Sequence, residues 1–218
     1  MVDFTNHPGL NQEIWTQSDP YERLDALQKL ENELAIEQCR PSCRLETVVA
    51  GAAHRGHFEP SYKDIWINSD DVIANNSPRD AIDTVAHEGR HAYQFDVITA
   101  PEKHPEIDIS LQQQWLVNWY NYRPADVDFT RYRNQPIEAD AHAFADGVLD
   151  AFDRHQADRV HKVNSDPAEV SQSIIQREIE ERRAQIAEQK SRISGSSKYE
   201  VLREQSKADA DTDSDGFD

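Results

Sequence analysis

Three residues in the segment TVAHEGRHAYQ have the types and spacing of a metal site with its own base. His87 and His91 lie four residues apart, so on a helix both imidazoles project from one face, one turn apart. Glu88 follows His87 directly and would lie beside the metal, where a carboxylate can take a proton from a metal-activated water. This pattern predicts hydrolytic chemistry, with His87 and His91 as metal ligands and Glu88 as the catalytic base.

A third protein ligand is expected from a second helix packed against the first. The segment QPIEADAHAFADG carries Glu138 and His142 four residues apart on one helix face, and either side chain could complete the site. The same periodicity places Asp140 on a different side of that helix. We rank Glu138 first, His142 second and Asp140 third. Imidazole ligands together with a carboxylate suit zinc better than other divalent ions, so the expected cofactor is Zn²⁺.

The two helices that must carry these ligands are both predicted by local signals. Ser77, Pro78 and Asp80 form a capping-box pattern with proline at the first helical position, and the helix is expected to run to about Phe95. A last core helix is expected to begin near Pro136. Its apolar face is predicted to contain Ile137, Ala141, Phe144, Val148 and Phe152.

The remaining elements predict an α+β fold class. Asp19 and Pro20 mark the start of a first amphipathic helix that carries four spaced leucines. The segments LETVVA, GHFEP and DIWIN, within residues 45–68, predict a small, mainly antiparallel sheet packed on the active-site helix. Residues 97–109 contain two prolines and are predicted to form a loop. Residues 109–122 predict a helix whose aromatic stripe lies in the core.

Changes in composition along the chain predict three regions. Residues 1–163 are expected to form one domain that is large enough for a hydrophobic core. Residues 164–194 combine dense charge with isoleucines every seven residues, which predicts a charged helical extension able to bind a protein partner or to self-associate. Residues 195–218 are acidic and poor in apolar side chains, and are predicted to be a disordered tail.

The charge of the chain restricts its partners. It has 41 acidic and 23 basic residues and a formal net charge of -18. Such a charge repels phosphate backbones and anionic lipid headgroups, so neither nucleic acid nor a membrane is expected as a partner. No apolar run approaches membrane-spanning length, and the first residues lack the features of a signal peptide. The expected location is the cytoplasm, with export by a dedicated secretion route left open.

The two predicted ligand helices resemble those of a known group of enzymes. HEGRH, followed by a helix with Glu138, Ala141, Phe144 and Ala145, resembles the gluzincin branch of the zincin metallopeptidases. The E-x-x-A-x-x-F-A pattern is similar to that of compact ImmA/IrrE-type and toxin-associated metallopeptidase domains. The resemblance extends from Ile65 to Phe152 and is most specific in the two helices.

This resemblance implies a zincin-like fold and a set of roles. It implies zinc bound by His87, His91 and Glu138, with Glu88 as the base. It also implies a strand along the substrate cleft, for which Asp64–Asn68 is the candidate. The chain departs from the larger gluzincins four residues after Glu138, where it has His142 in place of an acidic residue. Asp83 and Asp140 are therefore both candidates to orient a ligand histidine.

The function predicted is a zinc metallopeptidase, a hydrolase that cleaves peptide bonds in a peptide or protein substrate. The alternative is a non-catalytic metal-binding module with a regulatory or protein-interaction role. Coordination by both Glu138 and His142 would favour that alternative, because a catalytic zinc keeps an open position. A toxin or effector role for the peptidase chemistry stays open by fold-level analogy. Six residues are candidates for stabilising the transition state: Tyr93, His104, Tyr120, Tyr122, Tyr132 and Arg133.

Overall fold

The computed structural model describes residues 2–48, 55–125, 127–165, 179–180 and 182–184. The ranges up to residue 165 belong to one compact unit, which contains every element described below. Most of the predicted helical extension and all of the predicted tail lie outside the described residues. The compact unit is mostly helical and has one small sheet, so the predicted α+β class is confirmed.

Two 3₁₀ turns, Phe4–Asn6 and Pro8–Leu10, precede the first two α-helices, α1 (Gln12–Gln17) and α2 (Pro20–Glu37). The Asp19 carboxylate accepts the N–H groups of Tyr21 and Glu22, and the Glu22 carboxylate accepts the Asp19 N–H. This complete capping box explains why α2 begins where the sequence predicts. Three of the predicted leucines are fully buried: Leu27, Leu30 and Leu34.

Within the described residues the sheet has three strands, β1 (Arg44–Val48), β2 (Gly56–Glu59) and β3 (Asp64–Asn68), in the order β1-β3-β2. β2 and β3 pair antiparallel, but β1 and β3 pair parallel. The prediction of a mainly antiparallel sheet is therefore wrong, and the sheet is mixed. The reason is that β3 is buried at four of its five positions. It therefore lies at the centre of the sheet and pairs with β1 along its second edge.

Helix α3 (Pro78–Thr99) carries the HEGRH segment and is one turn longer than predicted. Its start is confirmed, but Ser77 makes no side-chain capping bond, and the Asp80 carboxylate instead accepts from the Asn75 side chain at 3.0 Å. The extra turn places Val97 in a fully buried position, where it packs in a small second core. The predicted loop therefore begins after Thr99, with a 3₁₀ turn at Pro101–Lys103.

Three further α-helices follow in the described part of the unit: α4 (Ile109–Tyr120), α5 (Phe129–Arg133) and α6 (Pro136–Ser165). The predicted start and apolar face of α6 are confirmed, and α6 packs along α3. The aromatic stripe of α4 is only partly in the core, because Trp115 is fully buried but Tyr120 is 80% exposed. Among the described residues, no helix has the length and apolar content needed to cross a membrane.

Candidate metal centre

Helices α3 and α6 bring three potential ligands together, two from α3 and one from the first turn of α6. The Nε2 atoms of His87 and His91 lie 3.2 Å apart. The Glu138 carboxylate faces both rings, with Oε2 at 3.3 Å from His87 Nε2 and Oε1 at 3.3 Å from His91 Nε2. In the described part of the chain, these three residues form the group whose ligand atoms converge closely enough to hold a metal ion.

The three residues fit zinc in both spacing and chemistry. Tetrahedral zinc with ligand bonds of about 2.0–2.1 Å separates its ligand atoms by about 3.3–3.4 Å, close to the distances observed here. Glu138 is completely buried, and its Oε2 has no well-formed hydrogen bond within the described structure. A buried carboxylate oxygen without a donor is unfavourable, and a cation at this point would satisfy it.

The protonation of the metal-free site follows from these contacts. Burial alone would raise the pKa of Glu138, but the His87 and His91 imidazoles hold that pKa well below its usual range. Burial alone would lower the pKa of His91, but Glu138 and the charge of Glu88 raise it to about 9. In the absence of metal, a protonated His91 therefore balances the Glu138 carboxylate, and a metal ion must displace that proton.

A buried glutamine sets the orientation of His91. Gln94 Oε1 lies 2.9 Å from His91 Nδ1, while the Gln94 amide nitrogen donates to Ile137 O at 2.8 Å and to Asp140 Oδ2 at 2.7 Å. Because the amide nitrogen is engaged by two acceptors, Oε1 must accept from Nδ1, which leaves His91 Nε2 free as a ligand. Asp140, held also by Arg90 at 2.7 Å, thus acts through Gln94 and does not face the site itself.

His142, the alternative third ligand, does not converge with the other three residues. Its ring packs against the ring of His87, with centroids 4.5 Å apart and planes tilted by 51°. Burial, followed by the charges of His87 and Arg133, lowers the pKa of His142. The third ligand atom that converges with the two histidines belongs to Glu138, so the geometry favours Glu138 over His142.

Glu88 lies beside the site as the sequence predicts, although its partner was not foreseen. It is 9% exposed, and its Oε2 accepts the main-chain N–H of Phe58 at 3.0 Å. The side chain forms part of the wall of a cavity of about 510 Å³. The other wall residues come from α3 itself, from β2, from α4 and the segment after it, and from α5 and α6: Gly56, His57, Phe58, His87, His91, Trp119, Tyr122, Pro124, Ala125, Tyr132, Ile137 and Glu138.

The strand along this cavity is β2, whereas the sequence analysis proposed Asp64–Asn68. That segment is β3, which lies at the centre of the sheet and pairs on both edges. Only an edge strand has main-chain groups available to a ligand, and β2 is the edge strand next to the site. The more apolar segment was therefore the wrong choice, because its apolar character marks the centre of the sheet.

Two of the six residues considered for transition-state stabilisation line the cavity. The Tyr122 hydroxyl donates to Glu138 Oε1 at 2.9 Å, and the rings of Tyr122 and Tyr132 meet edge to face with centroids 6.2 Å apart. Burial, reinforced by the charge of Glu138, raises the pKa of both tyrosines. Both hydroxyls therefore remain protonated donors at neutral pH.

The other four candidates lie away from the cavity. Tyr93 packs in the second core, under the Arg90 guanidinium at 4.4 Å from the ring centroid. His104 is fully buried against Asp96 at 2.9 Å. The last two are exposed and absent from the cavity wall: Tyr120 and Arg133.

A buried ion pair packs against α3 at Gly89, and no motif in the sequence indicates it. The Arg40 guanidinium binds both oxygens of Glu31, at 2.7 and 2.8 Å, and both side chains are almost fully buried. A Cβ atom at Gly89 would lie 2.9 Å from Arg40 Nη2 and 3.0 Å from Glu31 Oε2. The glycine of HEGRH thus allows α3 to pack directly on this ion pair.

The chain was compared with protein-family models, curated proteins and solved structures. No match was found. The resemblance to gluzincins therefore rests on the motif residues alone and stays a prediction. The function has to be argued from the geometry of the site.

Proposed function

We propose that this protein is a zinc-dependent metallopeptidase. His87, His91 and Glu138 hold the ion, and Glu88 is the general base. The observation that carries the proposal is the convergence of three ligand atoms at zinc-like spacing beside a held carboxylate, in the wall of a cavity of about 510 Å³. Convergence of ligands alone supports metal binding, and the adjacent Glu88 is what supports hydrolysis.

Each residue around the site has a role in peptide hydrolysis. Zinc, when bound, supplies a Lewis acid that activates water and polarises the scissile carbonyl. Glu88 accepts the proton of the attacking water and returns it to the leaving amine. Tyr122 and Tyr132 are the hydroxyl donors close enough to the site to stabilise negative charge that develops on the substrate.

The cavity favours the interior of a peptide chain over its ends. Among the described residues of its wall there is no lysine or arginine to bind a terminal carboxylate. The two wall carboxylates are already engaged, Glu88 by Phe58 and Glu138 by Tyr122 and the histidines. The outer edge of β2 pairs with no strand in the described part of the chain and can add an extended substrate as a further strand. These features support an endopeptidase.

The test combines metal content and hydrolysis. We expect about one zinc ion per chain by mass spectrometry, and its loss in a His87→Ala/His91→Ala variant. His161→Ala is the matched control, because that histidine is exposed on α6 and far along the helix from Glu138. Absence of zinc after reconstitution of the wild-type protein would refute the proposal.

Two single substitutions separate the base from the ligands. Glu88→Gln should retain zinc but lower cleavage of fluorescein-labelled casein by roughly 10²- to 10⁴-fold, the usual effect of losing a general base. Glu138→Ala should lose zinc, whereas His142→Ala should keep it. If zinc were retained in Glu138→Ala but lost in His142→Ala, the third ligand would be His142 and not Glu138. A wild-type protein that binds zinc and cleaves no probe would favour the non-catalytic module.

A further inference from the structure

The carboxylate of Glu88 is held by the edge strand β2 and by no group of its own helix. Its Oε2 accepts the Phe58 N–H at 3.0 Å. The Asn68 N–H donates to Arg55 O at 2.9 Å, so Arg55 and Asn68 form a hydrogen-bonded pair between the two antiparallel strands. Hydrogen-bonded and non-hydrogen-bonded pairs alternate along such strands. The N–H groups of Gly56 and Phe58 therefore point away from β3. No hydrogen bond to the second oxygen, Oε1, is found among the described residues.

Gly56 allows β2 to lie this close to α3. A Cβ atom there would be 2.7 Å from Thr84 Cγ2, 3.0 Å from Trp66 O and 3.4 Å from Glu88 Cγ. The Trp66 carbonyl belongs to β3 and cannot yield without moving the sheet. Thr84 is held by its hydroxyl, which donates to Asp80 O at 3.0 Å. A larger residue at position 56 would therefore push β2, and the amide that holds the carboxylate, away from α3.

We propose that β2 positions the general base. Gly56 sets the distance between strand and helix, and the Phe58 N–H binds one oxygen of Glu88 so that the other oxygen is the proton acceptor. The role of Glu88 as a base rests on the proposed function. The hydrogen bond between Phe58 and Glu88 does not, because it requires neither metal nor substrate. An extended substrate then finds the Phe58 N–H occupied and pairs with the main chain of Gly56 and with Phe58 O.

Amide hydrogen exchange in the metal-free full-length protein tests the contact directly. An outward-facing amide of an edge strand exchanges rapidly unless it has a partner, so the Phe58 amide should be protected in the wild type. Glu88→Ala should accelerate its exchange by roughly tenfold or more, because a hydrogen bond to a charged group is lost. The His57 amide, which faces β3, is the internal control and should not change. Equal protection of the Phe58 amide in both proteins would overturn the proposal.

Kinetics test the consequence for catalysis. Gly56→Ala should lower kcat on a casein-derived peptide by roughly 10- to 100-fold, with zinc content nearly unchanged. Thr84→Ser removes the Cγ2 atom that the new methyl would strike and keeps the hydroxyl bonded to Asp80. The double variant Gly56→Ala/Thr84→Ser should therefore recover part of kcat, and thermal melts report whether each variant is folded.

The outcomes separate this inference from the proposed function. Full activity of Gly56→Ala in a folded protein would refute the positioning role while leaving the peptidase intact. Absence of hydrolysis by the wild type would refute the proposed function. In that case the Phe58 amide experiment alone decides whether β2 holds the carboxylate.

Discussion

The side chain of Gln94 is completely buried and bonded at both ends of its amide. Gln94 lies on α3, and its amide contacts His91 on the same helix and Asp140 on α6. A ligand histidine commonly donates the N–H of its second ring nitrogen to a carboxylate or carbonyl, and here the Gln94 amide lies between the ring and the Asp140 carboxylate. Gln94 therefore ties the orientation of His91 to the packing of α3 on α6.

Replacing Gln94 by Ala should weaken zinc binding by roughly 10- to 100-fold, as is usual when such an orienting partner is lost. The cause is that His91 Nδ1 loses its acceptor, so the ring and its tautomer are no longer specified. Competition with a fluorescent zinc chelator measures the affinity. Gln112→Ala on α4 is a suitable control, because that amide donates to Ile107 O at 3.1 Å, away from the metal ligands. Equal affinities in all three proteins would contradict the role of Gln94.

Zinc binding near pH 7 should release about one proton per chain. The pKa of His91 is raised to about 9 in the metal-free protein, so the ring carries a proton below that pH and must lose it to become a ligand. Apparent affinity should therefore rise as the pH approaches 9 and fall as the pH is lowered. Titration calorimetry in buffers of different ionisation enthalpy counts the protons. A heat that does not depend on the buffer would contradict this protonation state.

At the scale of elements, two glycines in helices provide a matched pair. Gly89 on α3 lies against the Glu31–Arg40 ion pair, whereas a Cβ atom at Gly147 on α6 would meet no atom within 4 Å. Gly89→Ala should destabilise the protein by about 1–3 kcal/mol, because the ion pair or the helix must shift. Gly147→Ala should stabilise it by up to about 1 kcal/mol through helix propensity alone.

Urea denaturation measures both changes, and the opposite signs are the decisive result. A stabilising effect of Gly89→Ala would mean that α3 is not pressed against the ion pair. The same variant should also lose zinc affinity if the ion pair sets the position of His87 and His91. Glu31 accepts from the Cys43 N–H as well, so a shifted ion pair would also disturb the start of β1.

The elements that the sequence predicted well are those specified by neighbours along the chain. Asp19 and Glu22 cap α2 within four residues, and Pro136 begins α6, so local patterns located both helices. Pairing of the strands depends on residues far apart in the chain, and the mixed order of the sheet was missed. The prediction that β3 lines the cleft was wrong for a related reason. Apolar content cannot distinguish a central strand from one that lines a site.

The candidate site shows the same division. His87, Glu88 and His91 share one helix, and their spacing alone predicted their common location. As third ligand, Glu138 could be ranked above His142 from the sequence, but the sequence could not decide between them. The decision depends on how α6 is rotated against α3. The partner of Glu88 is a main-chain amide on another element, and a main-chain group leaves no signal in residue types.

At the scale of the whole molecule, every residue of the proposed site lies in the compact unit that ends at Ala168. A chain shortened after Ala168 should therefore bind zinc as tightly as the full chain, within about twofold, since it keeps all ligands and their partners. Zinc stoichiometry and affinity of both chains check this expectation. A large loss of affinity would show that residues 169–218 contribute to the site or to its stability.

The formal net charge of -18 gives the molecule a negative electrostatic field, which acts on a charged substrate before the two molecules touch. Basic substrates should meet it faster than acidic ones, and added salt should reduce the difference. Residues 195–218 contribute to this charge, so the shortened chain should discriminate less between basic and acidic substrates even where its zinc affinity is unchanged. Affinity for zinc and selection of substrate are therefore separable in the same pair of chains.

The hydrogen bond between Phe58 and Glu88 also affects the tendency of the folded protein to self-associate. An exposed strand edge offers unpaired amides to any neighbouring chain and so favours aggregation. β2 is only four residues long, and a buried carboxylate covers one of its outward amides. A protein that loses Glu88 exposes that amide to pairing, so its tendency to self-associate rises along with the loss of the base.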